Sequence, residues 1–366
     1  VSTMRSNSRS HRRVIVDLDA LKANYKTLDK NSGDAICAAV VKANAYGLGV
    51  CEVAPALFDA GCRWFFVASA DEALELKELL PEAEVGVFEG PIDCDDLLRQ
   101  NILPVLNSYD DARLWAEACG EASPGRCIVH IDSGMNRLGI THSDVTRLVG
   151  DTSTLSRLAI EFVATHLANA EQPDDDRNRA QLERIDALRA GLPVHKTSIA
   201  NSSGVFLADD FCRDMVRRAG IAIYGGNPTP GIANPMQSVA TVQGRFVQIR
   251  NVEEDDAVGY GATADINAGA RLATVGFGYA DGYLRSLSYV ADAMVAGKRV
   301  PVIGRVSMDS LVVDITGVGN DIDVGDWVTL VGAGLELDEV AKLAGTISYE
   351  LLTSLGARVE RVYARQ

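Results

Sequence analysis

The sequence predicts an α/β chain with an added β domain: an N-terminal (β/α)8 TIM-type barrel followed by a predominantly β C-terminal domain. Three observations predict it. Short apolar runs alternate with amphipathic stretches about eight times over 35–224, as eight βα units require. One apolar run, 35–41, ends abruptly at Lys42 and passes into the loop Asn44-Ala45-Tyr46-Gly47. Beyond Pro235 the pattern turns to short alternating segments separated by Gly, Asn and Asp, the grammar of antiparallel strands. A doubly wound sheet is the competing α/β layout. It has no motif support, because neither a Gly-x-Gly-x-x-Gly nor a Gly-x-x-x-x-Gly-Lys-Ser/Thr loop occurs.

Taken in order, residues 1–13 carry Arg5, Arg9, Arg12 and Arg13 and no acid. They read as a frayed tail, with Met4 a candidate start. No apolar stretch precedes Val14, so a signal peptide is not expected. Residues 14–18 read as a strand, one that can pair with the C-terminal domain, and Asp19 as the cap of a helix to about 29. Buried parallel strands are expected within 35–42, 64–69, 84–89, 103–106, 126–132, 158–166, 195–200 and 214–224. Helices are expected at 71–80, 110–119 and 177–189, each with acids near its start, which suits the helix dipole. Asp174-Asp175-Asp176 reads as a solvated loop rather than a metal site. The breaker-rich Asn227-Pro228-Thr229-Pro230-Gly231 announces the boundary between a barrel at 14–235 and a β domain at 236–366. In that domain strands are expected at 241–249, 271–275, 294–303, 311–315 and 327–331, and helices at 337–344 and 348–354.

Composition narrows the function. With 366 residues, 47% of them hydrophobic, the chain can bury a sizeable core and is no disordered segment. A net charge of −15 argues against nucleic acid or an anionic membrane as partner. No window of about eighteen uninterrupted apolar residues suggests a membrane span. The seven cysteines are odd in number, scattered and free of Cys-x-x-Cys, the usage of a reducing, cytoplasmic setting. The five histidines lack paired metal-ligand spacing, so no structural metal is expected.

Chemistry gathers at the C-terminal ends of barrel strands. There the sequence places polar residues that a packed core would not choose. Lys42 ends the first run, and desolvation at such a position favours a nucleophilic amine. Its bland alternative is a lysine whose stem snorkels to solvent. Arg137 follows the fifth run, His166 ends the sixth, Asn201 and Ser202 the seventh, and Arg218, Gly220 and Tyr224 close the eighth. Singly, His166 reads equally as a satisfied core histidine and Arg137 as a surface ion pair. Five such ends on one rim are hard to explain by packing.

The decapeptide Val40-Val41-Lys42-Ala43-Asn44-Ala45-Tyr46-Gly47-Leu48-Gly49 closely resembles the pyridoxal-phosphate lysine motif of the alanine racemases. The strings around Arg137, His166, Ser202 and Arg218 resemble their counterparts there in order and spacing, and the likeness runs from Val14 through the β domain. The resemblance implies that Lys42 carries pyridoxal 5'-phosphate covalently and that Tyr46 helps hold its phosphate. It implies that Ser202, backbone groups at Gly220 and Ile221, and Tyr349 complete the phosphate shell. Arg218, with His166 beside it, is implied to meet the pyridine nitrogen. A guanidinium keeps its proton, so it leaves that nitrogen unprotonated and the ring a weaker electron sink. Arg137 is implied to steer substrate.

In the β domain, Val258-Gly259-Tyr260-Gly261-Ala262-Thr263 resembles the segment whose tyrosine acts from the opposite subunit. Read alone, Tyr260 is equally a strand-turn aromatic. Free tyrosine titrates near 10, and the cationic neighbourhood of His166 and Arg218 is expected to lower it. Tyr279 is implied to narrow the entrance. Met308, beside Asp309, is implied to offer its backbone N–H to the substrate carboxylate. The whole implies a homodimer with shared sites that interconverts L- and D-alanine: Lys42 serves the D-isomer face and Tyr260 the L-isomer face, and the product feeds peptidoglycan. A serine or broad-specificity racemase, a decarboxylase-type relative and a non-catalytic cofactor-binding protein are the alternatives. Family members commonly carry a carbamylated lysine where this chain has His130. Histidine forms no such carbamate, so another anion, chloride or a nearby carboxylate, is expected to hold Arg137.

Overall fold

The structure, a computed structural model, describes residues 10–119, 123–207 and 215–364. Its contacts divide the chain into two units. One is Leu21–Gln237; the other joins the residues up to Ala20 with those from Ser238 on.

The chain opens with β1 (Arg12–Asp17), which belongs to the second unit. Strands β2 (Ile36–Val40), β3 (Trp64–Val67), β4 (Glu84–Val87), β5 (Leu103–Leu106), β6 (Gly125–His130), β7 (Leu158–Ala164), β8 (Thr197–Ser198) and β9 (Val216–Ala219) build the first. They pair in parallel in the order β8-β7-β6-β5-β4-β3-β2-β9. The ring closes between β8 and β9, where Met215 N–H donates to Thr197 O at 2.9 Å, Arg218 N–H to Ala200 O at 2.9 Å, and the Ser198 hydroxyl to Val216 O at 2.6 Å. Apolar runs become strands here because both faces are covered: Phe65, Phe66, Val67, Leu103, Val105 and Leu106 are all buried. Each such side chain contributes about 1.5–3 kcal/mol. Gly86 is required on β4, since a Cβ there would meet the Phe66 ring at 2.5 Å. The helices start where the sequence placed their acids. Ser69 caps Ala70–Leu79, Ser108 forms a capping box with Asp111, and Asp175 caps Asp176–Arg189.

The second unit adds β10 (Ala240–Asn251), β11 (Asp256–Val258), β12 (Ala264–Ile266), β13 (Arg271–Val275), β14 (Asp292–Val295), β15 (Lys298–Ile303), β16 (Leu311–Asp314), β17 (Trp327–Val331) and β18 (Glu360–Ala364). Strand β10 pairs with both β13 and β17, so six strands close on themselves; β1 and β18 extend the sheet. Register shifts at Val242/Gln243 and Phe246/Gln248 bend β10 enough to serve both partners.

Three expectations are corrected. Residues 10–13 are no frayed tail: Arg12 and Arg13 lie in β1, Arg12 pairs with the fully buried Asp281 at 3.0 Å, and Arg13 stacks on Trp327 at 4.0 Å. The first helix is capped by Asp17, whose carboxylate accepts from Asp19 and Ala20 N–H, and it runs to Ser32. The segment 294–303 is two strands, β14 and β15, joined by a turn at Ala296 and Gly297, both with positive φ. Among the described residues no helix is long and apolar enough to cross a membrane. Cys212 lies outside the described residues; the other six cysteines are free thiols.

Candidate active site

The C-terminal ends of the barrel strands surround a cavity of about 300 Å³. Its walls include Lys42 after β2, Phe88 and Glu89 after β4, Asn107 after β5, His130 on β6, His166 after β7 and Arg218 on β9.

Lys42 opens an unusual turn. Ala43, Asn44, Ala45 and Tyr46 all take positive φ near 52–55°, a left-handed turn built without glycine. Such residues cost about 1–2 kcal/mol each and persist only where neighbours hold them. Here Ala45 N–H donates to Val41 O at 2.8 Å, Gly47 N–H to Ala43 O at 2.8 Å and Val50 N–H to Asn44 Oδ1 at 2.7 Å. Glu72 spans two strand ends, accepting from Ala43 N–H at 2.6 Å and Ala68 N–H at 2.8 Å. The turn leaves the Lys42 ammonium 5.7 Å from the Phe88 ring. Burial lowers its pKa, with the positive charge of Arg137 adding to the effect and Glu72 opposing it.

The same turn buries Tyr46 beneath β9. Its ring stacks on Tyr224 at 4.6 Å, and the Tyr224 hydroxyl donates to Val40 O at 2.9 Å. Gly220 has no room for a side chain: a Cβ would sit 2.5 Å from Tyr46 Oη and 3.9 Å from Ser202 Oγ. Ser202 Oγ accepts from Gly220 N–H at 2.8 Å and Ala222 N–H at 3.3 Å, at the start of the short 3₁₀ turn Ile221–Tyr224. Two hydroxyls and a bare backbone thus meet in one place.

Arg218 is buried and fixed. Its guanidinium donates to Thr165 O at 2.6 Å, to Ser198 O at 2.8 Å and to Ser198 Oγ. Burial, then the charges of Arg218 and Arg137, push His166 down to about 3. His166 is therefore neutral, which corrects the expectation that it adds positive charge to the site. Arg137 is exposed on the loop after β6. The Asp132 carboxylate ties that loop, accepting from the N–H groups of Gly134, Met135 and Asn136 at 2.9–3.1 Å. Asn201 instead ties its own loop, accepting from Gly204 N–H at 3.0 Å.

The barrel therefore brings Lys42, Tyr46, His130, Arg137, His166, Ser202, Arg218, Gly220 and Ile221 to one end. Glu72, Asn107 and Asp132 are site residues that sequence reading missed. Only Glu72 had a signal, as the fourth residue of Ser69-Ala70-Asp71-Glu72, a capping pattern.

Models of the alanine racemase N-terminal domain and C-terminal domain match residues 16–228 and 239–363. The chain belongs to the alanine racemase family. The alanine racemase of Rhodospirillum rubrum is 45% identical, over 95% of this chain and 94% of that protein. A biosynthetic alanine racemase of Agrobacterium fabrum is 40% identical, over 96% of this chain and 93% of its own. The alanine racemase of Bartonella henselae, solved with covalently bound pyridoxal phosphate, superposes with a TM-score of 0.92 at 36% identity, covering 97% of this chain and all of that one.

The remaining residues that likeness to the alanine racemases singled out lie in the β unit. Tyr260 is 71% exposed at the tip between β11 and β12. Its glycine neighbours rest on Arg305: a Cβ on Gly261 would lie 3.1 Å from that guanidinium. The loop that holds Arg305 continues to Met308, which is 54% exposed. Tyr279 N–H donates to Ser307 O at 3.0 Å and Ala280 N–H to Met308 O at 3.0 Å, so Tyr279 and Met308 share a patch. Asp309 pairs with Arg358 at 2.8 Å. Tyr349 lies in the helix Ser348–Thr353.

Proposed function

We propose that the protein is a homodimeric, pyridoxal-phosphate-dependent isomerase that interconverts L- and D-alanine with two bases, Lys42 and Tyr260 of the partner subunit. Family membership supports the isomerase activity on alanine, and the Bartonella relative carries the cofactor covalently. The residues present fit that cofactor. Lys42 would hold it through an amine whose pKa burial lowers. The phosphate would lie by Tyr46, Ser202 and Gly220, where the missing Cβ lets the Tyr46 hydroxyl approach the bare backbone. Arg218, immobilised by Thr165 and Ser198, would meet the ring nitrogen beside a neutral His166. When bound, pyridoxal phosphate supplies an electron sink that makes the α-proton of an amino acid acidic.

The rest falls to side chains. Inversion needs a proton removed from one face of Cα and returned to the other. A single fixed base reaches one face only, so two are needed. Lys42 Nζ serves the D-isomer face and Tyr260 Oη of the partner subunit the L-isomer face. Exposure of Tyr260 and Met308 on one unit supports their use by a second copy. Arg137, on its Asp132-tied loop, orients the substrate side, with Met308 N–H on the carboxylate. The free thiols support a reducing, cytoplasmic setting, and the biosynthetic Agrobacterium relative supports a role in supplying D-alanine for peptidoglycan.

One observation carries the reading: a half-buried lysine of lowered pKa shares its cavity with an anchored arginine and a neutral histidine. The test is Tyr260→Phe, read by α-hydrogen exchange with deuterated water. Enantiomers have equal free energy, so kcat/KM for net racemisation must fall equally in both directions; exchange escapes that constraint. Exchange from D-alanine should persist while exchange from L-alanine collapses. Equal loss from both would sink the two-base assignment.

A further inference from the structure

Asn107 and His130 form a pair that the proposed chemistry does not use. Asn107 ends β5 and His130 ends β6, and both line the cavity with Arg137. The Asn107 amide has a fixed sense. Its Nδ2 donates to Phe88 O at 2.7 Å and to Val105 O at 3.0 Å, which uses both amide hydrogens. The oxygen must then face His130, whose Nδ1 lies 2.8 Å from Asn107 Oδ1. An oxygen only accepts, so the proton of the neutral ring sits on Nδ1 and the lone pair on Nε2.

We propose that His130 is a positioning residue, held by Asn107 as the Nδ1–H tautomer, whose Nε2 accepts a hydrogen bond from the Arg137 guanidinium. Of the cavity's cationic donors, Arg218 is bonded to Thr165 and Ser198 and Lys42 is given to the cofactor and the α-proton, while Arg137 stands seven residues after His130 on a loop closed at its base by Ile140 N–H donating to His130 O at 2.7 Å. A neutral acceptor therefore does what an anion was expected to do. Burial and the charge of Arg218 support the neutral form by pushing His130 down to about 4. The groups that face it are Arg218, Arg137 and Asp132, the last acting in the opposite sense, together with the neutral His166. The inference rests on the proposed role of Arg137 toward substrate.

The test has two parts, both on holoenzyme. In histidine-labelled protein, ¹⁵N NMR should show one ring with protonated Nδ1 and bare Nε2, unchanged from pH 8 to pH 5.5, and absent from His130→Gln. A ring protonated at Nε2, or one titrating near 6.5, overturns the proposal. The second part uses shape. The glutamine carbonyl can occupy the place of Nε2, whereas asparagine reaches only that of Nδ1. His130→Asn and His130→Leu should raise KM for alanine about tenfold, the worth of one hydrogen bond to a charged group. His130→Gln should restore most of it, with cofactor absorbance equal in all three. Equal losses in Gln and Leu, or no loss in Leu, overturn it. A wild type without cofactor absorbance or racemisation would fail the function reading instead, and the NMR result would stand apart from that failure.

Discussion

Gly220→Ala tests the phosphate end of the site at a single atom. The new methyl would sit 2.5 Å from Tyr46 Oη, about 0.9 Å short of ordinary contact. Tyr46 cannot yield easily, because it stacks on Tyr224 and springs from a left-handed turn tied by Gly47 and Ala43. Overpacking of this kind costs about 1–3 kcal/mol, and because relieving it displaces Tyr46 Oη or the Gly220 amide from the phosphate position, that cost falls on the bound state and the apoenzyme should bind pyridoxal phosphate about five- to 150-fold more weakly. The atom responsible can be removed. In Tyr46→Phe the hydroxyl is gone, and the nearest remaining ring atom is 3.4 Å from the methyl. On that background Gly220→Ala should cost only about twofold, a coupling of about 0.5–2.5 kcal/mol between the two sites. The assay is absorbance titration of apoenzyme with pyridoxal phosphate for wild type, both single variants and the double. Additive penalties, or full affinity in Gly220→Ala, would refute the reasoning.

Other outcomes follow from the same geometry. Lys42→Ala should abolish the near-visible absorbance of bound cofactor, and mixing it with inactive Tyr260→Phe subunits should recover activity; an unchanged spectrum removes Lys42 from its role, and verified heterodimers without activity count against shared sites. Glu72→Ala leaves two strand-end N–H groups without their acceptor and should destabilise the barrel by about 1–3 kcal/mol in chemical denaturation, whereas a loss below about 0.5 kcal/mol would show the turn is held otherwise. Stability should also fall with pH. His130 and His166 titrate at about 4 and about 3 in the fold against 6.5 when unfolded. Between those values the unfolded chain binds more protons, so each histidine should remove about 1.4 kcal/mol per pH unit below 6.5, and a flat profile from pH 7 to 5.5 would contradict their burial as neutral rings.

The barrel was legible because parallel strands buried on both faces spell themselves as apolar runs, as Trp64-Phe65-Phe66-Val67 does. Polar residues at the ends of such runs then mark the rim, which made Lys42, Arg137, His166, Ser202 and Arg218 readable from residue type and place alone. Their particular roles came from the long lysine motif and its companion strings. Backbone conformation was less legible. Nothing in Ala43-Asn44-Ala45-Tyr46 announces four left-handed residues, because tertiary hydrogen bonds impose them against local preference. The tail failed for a similar reason: Arg12 and Arg13 read as polar and frayed until buried Asp281 and the face of Trp327, both distant in sequence, give them partners. Asn107 and Asp132 act through hydrogen bonds to main chain or to one ring nitrogen, which carry no periodic signal. His166 illustrates the limit of charge reasoning, since its protonation depends on burial that composition does not report.

The central claim is inversion by two bases on opposite faces of Cα, and incubation of L-alanine with holoenzyme in deuterated water tests it most directly. The account predicts D-alanine that carries deuterium at Cα from the first turnovers, while the remaining L-alanine keeps its hydrogen. D-alanine that retains the original hydrogen would mean one base returning its own proton, and would contradict the account.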